Sequence, residues 1–139
     1  LDFHLSRICR KDRFLQLIHD FIVFDSGFKK TCRHNQFFGI DAAKQHIKRR
    51  EGGIIWHTQG SGKSLTMVWL AKWIRENVSD ARVLIITDRT ELDEQIEKVF
   101  YGVDEEIYRT KSGADLIIRY YFYLVSNFHV LFSFTLHRL

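Results

Sequence analysis

The chain has 139 residues, of which 45% are hydrophobic and 27% are charged, and its net charge is +4. This length and composition suit one globular domain with a hydrophobic core, and they exclude an intrinsically disordered chain. A net charge of this size is compatible with nucleic-acid binding but is too small to establish it. Cys9 and Cys32 are far apart in sequence and the 7 histidines form no zinc-binding pattern, so we expect reduced thiols in a cytoplasmic protein and no zinc site.

The first elements are predicted to be helical. Apolar residues at helical spacing predict a helix over Arg10–Phe24 and, after a basic connector at Lys29–Asn35, a second helix over Gln36–Arg50. A pair of glycines then ends the second helix. The apolar stripe of this second helix is expected at Phe37, Ile40, Ala43 and Ile47.

The middle of the chain predicts alternating strands and helices. Ile54–His57 is short, apolar and flanked by glycines, which indicates a buried strand, and a helix is predicted over Lys63–Asn77. Ala81–Thr87 is rich in β-branched residues and nearly uncharged, which predicts a second buried strand. Thr90 is placed to cap a further helix whose first turn is acidic. This order of elements predicts an α/β fold, with a partial parallel sheet and flanking helices.

The last part of the chain is harder to assign. Ile107–Thr110 suggests a third strand, and Ser112 is placed to cap another helix. Leu116–Leu139 differs in composition, because it is rich in Phe and Tyr and all 17 acidic residues lie at or before Asp115. Three interpretations stay open: a buried strand or helix pair, a membrane span interrupted by polar residues, or a segment that is not the natural continuation of the domain.

The segment between the first predicted strand and the following helix has the pattern of a phosphate-binding loop. Two glycines let the backbone curl so that successive N–H groups face a phosphate. Lys63 would place a positive charge on the β- and γ-phosphates, the Ser64 hydroxyl would ligate Mg²⁺, and the helix adds its positive N-terminal dipole. His57 stands where the general pattern has glycine. The predicted nucleotide-binding residues of this loop are Thr58, Gln59, Gly60, Ser61, Gly62, Lys63 and Ser64.

Two further segments carry residues suited to ligand binding. Thr87 and Arg89 follow the second strand, at the sheet edge where α/β proteins bind ligands, and their hydroxyl and guanidinium groups suit a nucleic-acid backbone. The alternative is a capping loop whose arginine pairs with the acidic first turn of the next helix. Gln36, within Arg33–Phe38, can bond the N7/N6 edge of adenine beside an aromatic stacking face, or it can simply cap its helix.

Together these three segments resemble the R (restriction and motor) subunit of type I restriction–modification enzymes. Arg33–Phe38 is similar to the glutamine motif of that family, Gly53–Ser64 to its Walker A loop, and Thr87–Gln95 to the helicase motif that follows the second strand. His57, in His-Thr-Gln before Gly-Ser-Gly-Lys-Ser, is typical of the family. The resemblance extends over roughly Phe14–Leu116.

The resemblance implies a partial RecA-like lobe from an ATP-driven translocase of double-stranded DNA, which works with specificity and methyltransferase subunits and not at a membrane. By the same resemblance, Gln36 would bind adenine, while Lys63 and Ser64 would hold ATP and Mg²⁺. Thr87 and Arg89 would lie on the side that faces DNA.

The resemblance also implies a division of the chain into a helical lead-in at 1–35, a partial first motor lobe at 36–115 and an atypical aromatic tail at 116–139. The Walker B Asp-Glu pair, the second motor lobe and the nuclease domain of the family are not found in these residues. The chain is therefore expected to be an inactive fragment by itself. Two alternatives stay open: another helicase-like DNA-dependent ATPase, or a non-catalytic nucleotide-binding or interaction module that docks through the aromatic tail.

Overall fold

The computed structural model describes residues 10–58, 60–79, 81–87, 90–105, 107–121 and 128–134. It contains both helices and strands, which confirms the predicted α/β class. The chain divides into two compact units, Leu1–Leu70 and Ala71–Leu139. The described elements of the first unit are α1 (Lys11–Asp20), β1 (Ile22–Asp25), β2 (Phe28–Thr31), α2 (His34–Lys48) and the start of α3 (Lys63–Asn77). Those of the second are the rest of α3, then β3 (Ala81–Thr87), α4 (Thr90–Gly102), α5 (Gly113–Tyr121) and β4 (Phe128–Phe134).

A tight hairpin follows α1. β1 and β2 pair in antiparallel register, with Asp25 opposite Phe28 beside the turn. Ser26 and Gly27 form the turn with φ of 53° and 83°, and positive φ at both positions is the geometry favoured in two-residue hairpins. The predicted helix through Phe24 is therefore wrong beyond the end of α1, and the expected basic connector begins inside β2. The Ser-Gly pair that follows the short apolar run Phe21–Phe24 was the available signal.

Aromatic and aliphatic side chains build the core of the first unit. The ring of Phe21, which is fully buried just after α1, lies 5.0 Å from the ring of Phe37 and 6.1 Å from that of Trp69, measured between centroids. The predicted helix over Lys63–Asn77 is confirmed as α3. Its buried residues in this unit are Thr66, Met67, Val68, Trp69 and Leu70.

The apolar stripe predicted on α2 is only partly right. Phe37 and Ile40 are buried, but Ala43 and Ile47 are half-exposed, and Lys44 takes the next buried position. Hydrophobic periodicity cannot predict a buried lysine, because its burial depends on a charged partner that lies elsewhere in the sequence.

That partner is Asp20, the last residue of α1. The Lys44 ammonium donates to Asp20 Oδ2 at 2.7 Å and lies 5.0 Å from the centroid of the Phe21 ring. Burial alone would raise the pKa of Asp20, but the hydrogen bonds and charges of Lys44 and His19 outweigh it, so the pKa is lowered. The ion pair therefore joins α2 to α1.

Burial raises the pKa of the nearby Cys32 thiol to about 11, so this thiol stays protonated at neutral pH.

The segment that precedes the phosphate-loop sequence is not a strand. Ile54 is 90% exposed and Trp56 is 78% exposed, so the prediction of a buried strand at Ile54–His57 is wrong. A strand needs a neighbour to satisfy its N–H and C=O groups, and the two sheets formed by the described residues, β1–β2 and β3–β4, do not include this segment. Its apolar sequence is thus left facing solvent.

The second unit is built on a parallel pair of strands. β3 and β4 pair from Ala81 opposite Phe128 to Thr87 opposite Phe134, and β3 has the predicted bounds. α4 packs against β3, and Ile96 on α4 is buried. A parallel pair is consistent with the expected α/β topology, while the larger RecA-like sheet stays a prediction.

The predicted cap of α5 is confirmed. The backbone N–H of Asp115 donates to Ser112 Oγ at 3.2 Å, which satisfies one N–H of the first helical turn. The strand predicted at Ile107–Thr110 is absent from these residues, which are irregular. β4 lies within Leu116–Leu139, as the strand interpretation of that segment expected. Among the described residues, no helix has the length and hydropathy needed to cross a membrane.

We expect Asp20→Asn to lower the free energy of unfolding by about 3 kcal/mol at pH 7, because it leaves the buried Lys44 ammonium without its carboxylate. Asp20 is protonated in the unfolded chain before it is protonated in the folded one, since its folded pKa is lowered. The unmodified protein should therefore lose stability as the pH falls below about 4, and Asp20→Asn should lose less. Urea unfolding followed by circular dichroism at pH 7 and pH 3 measures both effects.

Asp41→Asn, which removes a carboxylate from the neighbouring helix, is the matched control and should unfold like the unmodified protein. Adding Lys44→Met to Asp20→Asn should recover most of the lost stability, since it removes the buried charge. An Asp20→Asn variant as stable as the unmodified chain at pH 7 would contradict the proposed importance of the ion pair.

Candidate nucleotide-binding site

Two glycines give the phosphate-loop sequence its backbone path. Gly60 has φ of 76° and Gly62 has φ of 83°, values that other residues rarely adopt. Between them, Ser61 is buried, and its hydroxyl donates to the carbonyl of Thr58 at 2.7 Å. The Ser61 N–H also points at this carbonyl, at 3.4 Å. The loop is therefore closed by its own hydrogen bonds before α3 begins.

The carbonyl oxygen of Gly62 accepts hydrogen bonds from three donors. The backbone N–H of Thr66 donates to it at 3.1 Å, which is the first hydrogen bond of α3, and Thr66 Oγ1 donates at 3.2 Å. The third donor is Gln36 Nε2, on α2, at 2.8 Å. A single carbonyl thus joins the loop, the start of α3 and the start of α2.

The other end of the Gln36 amide caps its own helix. Gln36 Oε1 accepts from the backbone N–H of Arg33 at 2.7 Å. Arg33 is the N-cap of α2 and Gln36 is its third helical residue, so this bond is one half of a capping box. Because one end must donate to a carbonyl and the other must accept from an N–H, only one orientation of the amide satisfies both bonds. The residue is 2% exposed. Adenine binding by Gln36 stays a prediction, and it requires the amide to share or leave these partners.

Arg33 provides a second link between α2 and the loop. Its Nη1 donates to the carbonyl of Gly60 at 3.3 Å, so a guanidinium lies beside the loop that is predicted to hold phosphates. Arg33 was predicted only as part of the glutamine motif and not as a residue of the site. Its position three residues before Gln36 was the available signal.

Lys63 and Ser64 occupy the first turn of α3. Both residues are half-buried. In any α-helix the N–H groups of the first turn have no acceptor within the helix, and the helix dipole makes this end positive. An anion placed at the loop would therefore meet both the Lys63 charge and these N–H groups, which is the arrangement predicted for phosphate binding.

A cavity of about 460 Å³ opens beside the loop. Its volume is within the range usual for small-molecule sites. A Cβ atom built at Gly60 would meet no atom within 4 Å, so the backbone there is open to an approaching ligand. These features fit a nucleoside triphosphate with its Mg²⁺. The lining includes Thr58, Gly60 and Ser61 from the loop, together with Arg33, Asn35 and Trp56.

The remaining predicted residues are described only in part. Gln59 and Arg89 lie outside the described residues, and Thr87 is the last residue of β3. The acidic start of α4 was expected to attract Arg89 if that arginine were structural. Among the described residues, Arg109 pairs with this acidic turn, with its Nε 2.6 Å from Asp93 Oδ2. No local sequence signal indicates that pairing, because the partners are far apart along the chain.

Comparison with known proteins supports the nucleotide-binding interpretation. A model of the SWI2/SNF2 ATPase family matches residues 35–129. The chain belongs to this family. The match includes Gln36, the glycine loop and α3, and it continues beyond Leu116 into the aromatic tail. The composition change after Asp115 therefore does not coincide with the end of the family match.

The chain is also similar to endonuclease subunits of type I restriction enzymes. It is 34% identical over 128 residues to the MjaIXP endonuclease subunit of Methanocaldococcus jannaschii, covering 84% of this chain and 12% of that protein. It is 28% identical over 127 residues to the HindI endonuclease subunit of Haemophilus influenzae, covering 81% of this chain and 11% of that protein. For an endonuclease subunit of Staphylococcus saprophyticus, the identity is 32% over 89 residues, covering 63% of this chain and 10% of that protein. The resemblance found in the sequence is confirmed, and the chain spans at most 12% of the length of these three relatives.

We expect Gly62→Ala to destabilise the protein more than Gly60→Ala. Both substitutions place a side chain at positive φ, which costs about 1 kcal/mol. At Gly62 the new Cβ would also lie 2.6 Å from Gln36 Nε2, so the hydrogen bond between Gln36 and the Gly62 carbonyl would break. The further loss should be about 1 kcal/mol.

The free energy of unfolding from urea titration measures the difference, and Gly60→Ala serves as the matched control because its added Cβ meets no atom within 4 Å. Equal destabilisation by the two variants would show that the Gln36 contact contributes nothing to stability.

Proposed function

We propose that this chain is the ATP-binding part of the DNA-translocating motor in an R subunit of a type I restriction–modification enzyme. The observation that carries the proposal is the Gly62 carbonyl, which joins the Gln36 amide, the glycine loop and the first turn of α3 in one hydrogen-bonded unit. The SWI2/SNF2 family match and the similarity to restriction endonuclease subunits support the same assignment. A RecA-like arrangement of the complete lobe forms part of this proposal.

In the proposed site, the loop N–H groups and the Lys63 ammonium bind the β- and γ-phosphates, and the Ser64 hydroxyl ligates Mg²⁺ through the bound nucleotide. The phosphates are proposed to enter the curled backbone of the loop, which is formed by Thr58, Gln59, Gly60, Ser61 and Gly62. Bound Mg²⁺ would neutralise phosphate charge and orient the terminal phosphoryl group.

Thr87 and Arg89 are proposed to lie on the DNA side of the motor. Thr87 ends β3 at the same edge of the sheet as Phe134 ends β4, and ligands of α/β proteins bind at the carboxyl ends of parallel strands. The proposed partners are double-stranded DNA and the specificity and methyltransferase subunits. The names of the relatives support this proposal, because they describe subunits of type I restriction enzymes.

Titration with a fluorescent ATP analogue and Mg²⁺ tests the nucleotide site. We expect saturable binding by the unmodified chain and a loss of about 10- to 100-fold in affinity for Lys63→Ala, because a charge-assisted contact to phosphate is removed. Ser64→Ala should weaken binding in the presence of Mg²⁺ more than in its absence.

Lys72→Ala removes the same charge from a later turn of α3 and should bind like the unmodified chain. Equal affinities for Lys63→Ala and Lys72→Ala would contradict the proposed phosphate site. Phosphate release in the same samples tests the expectation that the isolated chain does not hydrolyse ATP, and DNA-stimulated release would overturn that expectation.

Binding of a fluorescein-labelled DNA duplex tests the DNA side. Arg89→Ala should weaken binding to duplexes of unrelated sequence by similar factors and should reduce the slope of log affinity against log salt by about 1, as expected for one lost phosphate contact. Lys98→Ala, an exposed charge of the same sign on α4, is the control. Identical salt slopes for the two variants and the unmodified chain would exclude a phosphate contact by Arg89.

A further inference from the structure

The segment that leads into the glycine loop runs back along α2. A Cβ built at Gly53 would lie 3.9 Å from His46 Nδ1, near the end of α2. A Cβ built at Gly39, in the middle of α2, would lie 3.4 Å from both His57 Nε2 and Ile55 Cγ2. The segment therefore passes from the end of α2 to its middle before the loop begins.

Alternate side chains of this segment face α2. Ile54 and Trp56 are 90% and 78% exposed, whereas Ile55 is 39% exposed and His57 is half-buried. Successive side chains of an extended chain point to opposite sides, which explains the alternation. Ile55 and His57 are thus the residues through which the segment contacts the helix.

Gly39 leaves little room above α2 at the point where His57 lies. A methyl group at this position would be at ordinary contact distance from the imidazole and from Ile55, and a larger side chain would collide with them. Long side chains on a helix lean towards its N-terminal end. A leucine at position 39 would therefore lean towards the loop and meet the imidazole.

His57 stands where the general phosphate-loop pattern has glycine. Gly60 and Gly62 have positive φ, but His57 is not among the described residues that do. The backbone at position 57 therefore does not need the conformational freedom of glycine, and the position can carry a side chain. That side chain also lines the cavity beside the loop.

We infer that His57 is a positioning residue for the phosphate loop. Its imidazole rests on α2 at Gly39 and fixes the N-terminal end of the loop, while the bond from Gln36 to the Gly62 carbonyl fixes the C-terminal end. Gln36 and Gly39 are three residues apart and so share one face of α2. The inference rests on the proposed nucleotide-binding function, and it adds the contact that sets where the loop begins.

Inorganic tripolyphosphate with Mg²⁺, used to compete with the fluorescent ATP analogue, measures the phosphate loop apart from base recognition. Gly39→Leu should weaken the binding of tripolyphosphate and of ATP by about tenfold each, because the leucine displaces His57 and the loop with it. Gly39→Ala should bind like the unmodified chain, since its methyl group fits. Gly52→Leu is the matched control and should also bind normally, because a Cβ there meets no atom within 4 Å.

A double-mutant cycle separates displacement of the loop from a general loss of stability. His57→Ala removes the ring that the leucine would meet, so adding Gly39→Leu to it should cause little further loss of affinity, whereas independent effects would multiply. His57→Phe should retain most of the affinity, because the contact with α2 is steric and a phenyl ring has a similar shape. Circular dichroism of each variant verifies that the measurements are made on folded protein.

A spectroscopic signal reports the position of the segment directly. Trp56 lies between the two residues that face α2, and 5-fluorotryptophan labelling gives one ¹⁹F resonance for each of the 3 tryptophans. Trp56→Phe identifies its resonance. Gly39→Leu should shift the Trp56 resonance and leave that of Trp73 unchanged, and the shift should be smaller when His57→Ala is also present.

The outcomes distinguish the inference from the function on which it rests. If the unmodified chain binds with Lys63 dependence but Gly39→Leu binds as tightly as Gly39→Ala, the positioning role of His57 is overturned and the phosphate site stands. Losses that multiply in the double variant, or a loss confined to ATP, overturn it in the same way. If neither ligand binds the unmodified chain, both the phosphate site and the positioning role are overturned. A loss for both ligands that requires His57 supports both.

Discussion

The hydrogen bond from Gln36 Nε2 to the Gly62 carbonyl is the contact on which the candidate site depends. It brings the start of α2 against the point where the glycine loop becomes α3, across a separation of 26 residues in sequence. The same carbonyl accepts the first hydrogen bond of α3 from Thr66, so a shift of α2 would also disturb the helix start that is proposed to receive phosphate. The loop is thus positioned by elements on both sides of it.

Steric space and backbone geometry act together at this point. Gly62 has positive φ, and the space where a Cβ would stand is occupied by the Gln36 amide. Gly60 also has positive φ, but the corresponding space is open. The two glycines of one motif therefore serve different purposes: Gly62 permits a close contact within the protein, and Gly60 leaves the backbone accessible to a ligand.

Local sequence patterns predicted the elements whose boundaries are set locally. α3 and β3 have the predicted bounds, and Ser112 caps α5 as expected, because helix capping and β-branched runs act over a few residues. The order of the loop and its helix was likewise predictable. The hydrogen bonds of Gln36 were foreseen only as a possible cap, since the contact with Gly62 depends on how α2 packs.

The predictions that failed depended on partners distant in sequence. Ile54–His57 has the composition of a buried strand, yet strand formation requires a neighbouring strand, and this segment is exposed instead. Lys44 is not among the residues of the predicted apolar stripe of α2, yet it is buried because the Asp20 carboxylate compensates its charge. Ile54–His57 lies outside both sheets of the described residues, so the same exposure that makes the strand prediction wrong leaves Trp56 in the wall of the cavity beside the glycine loop.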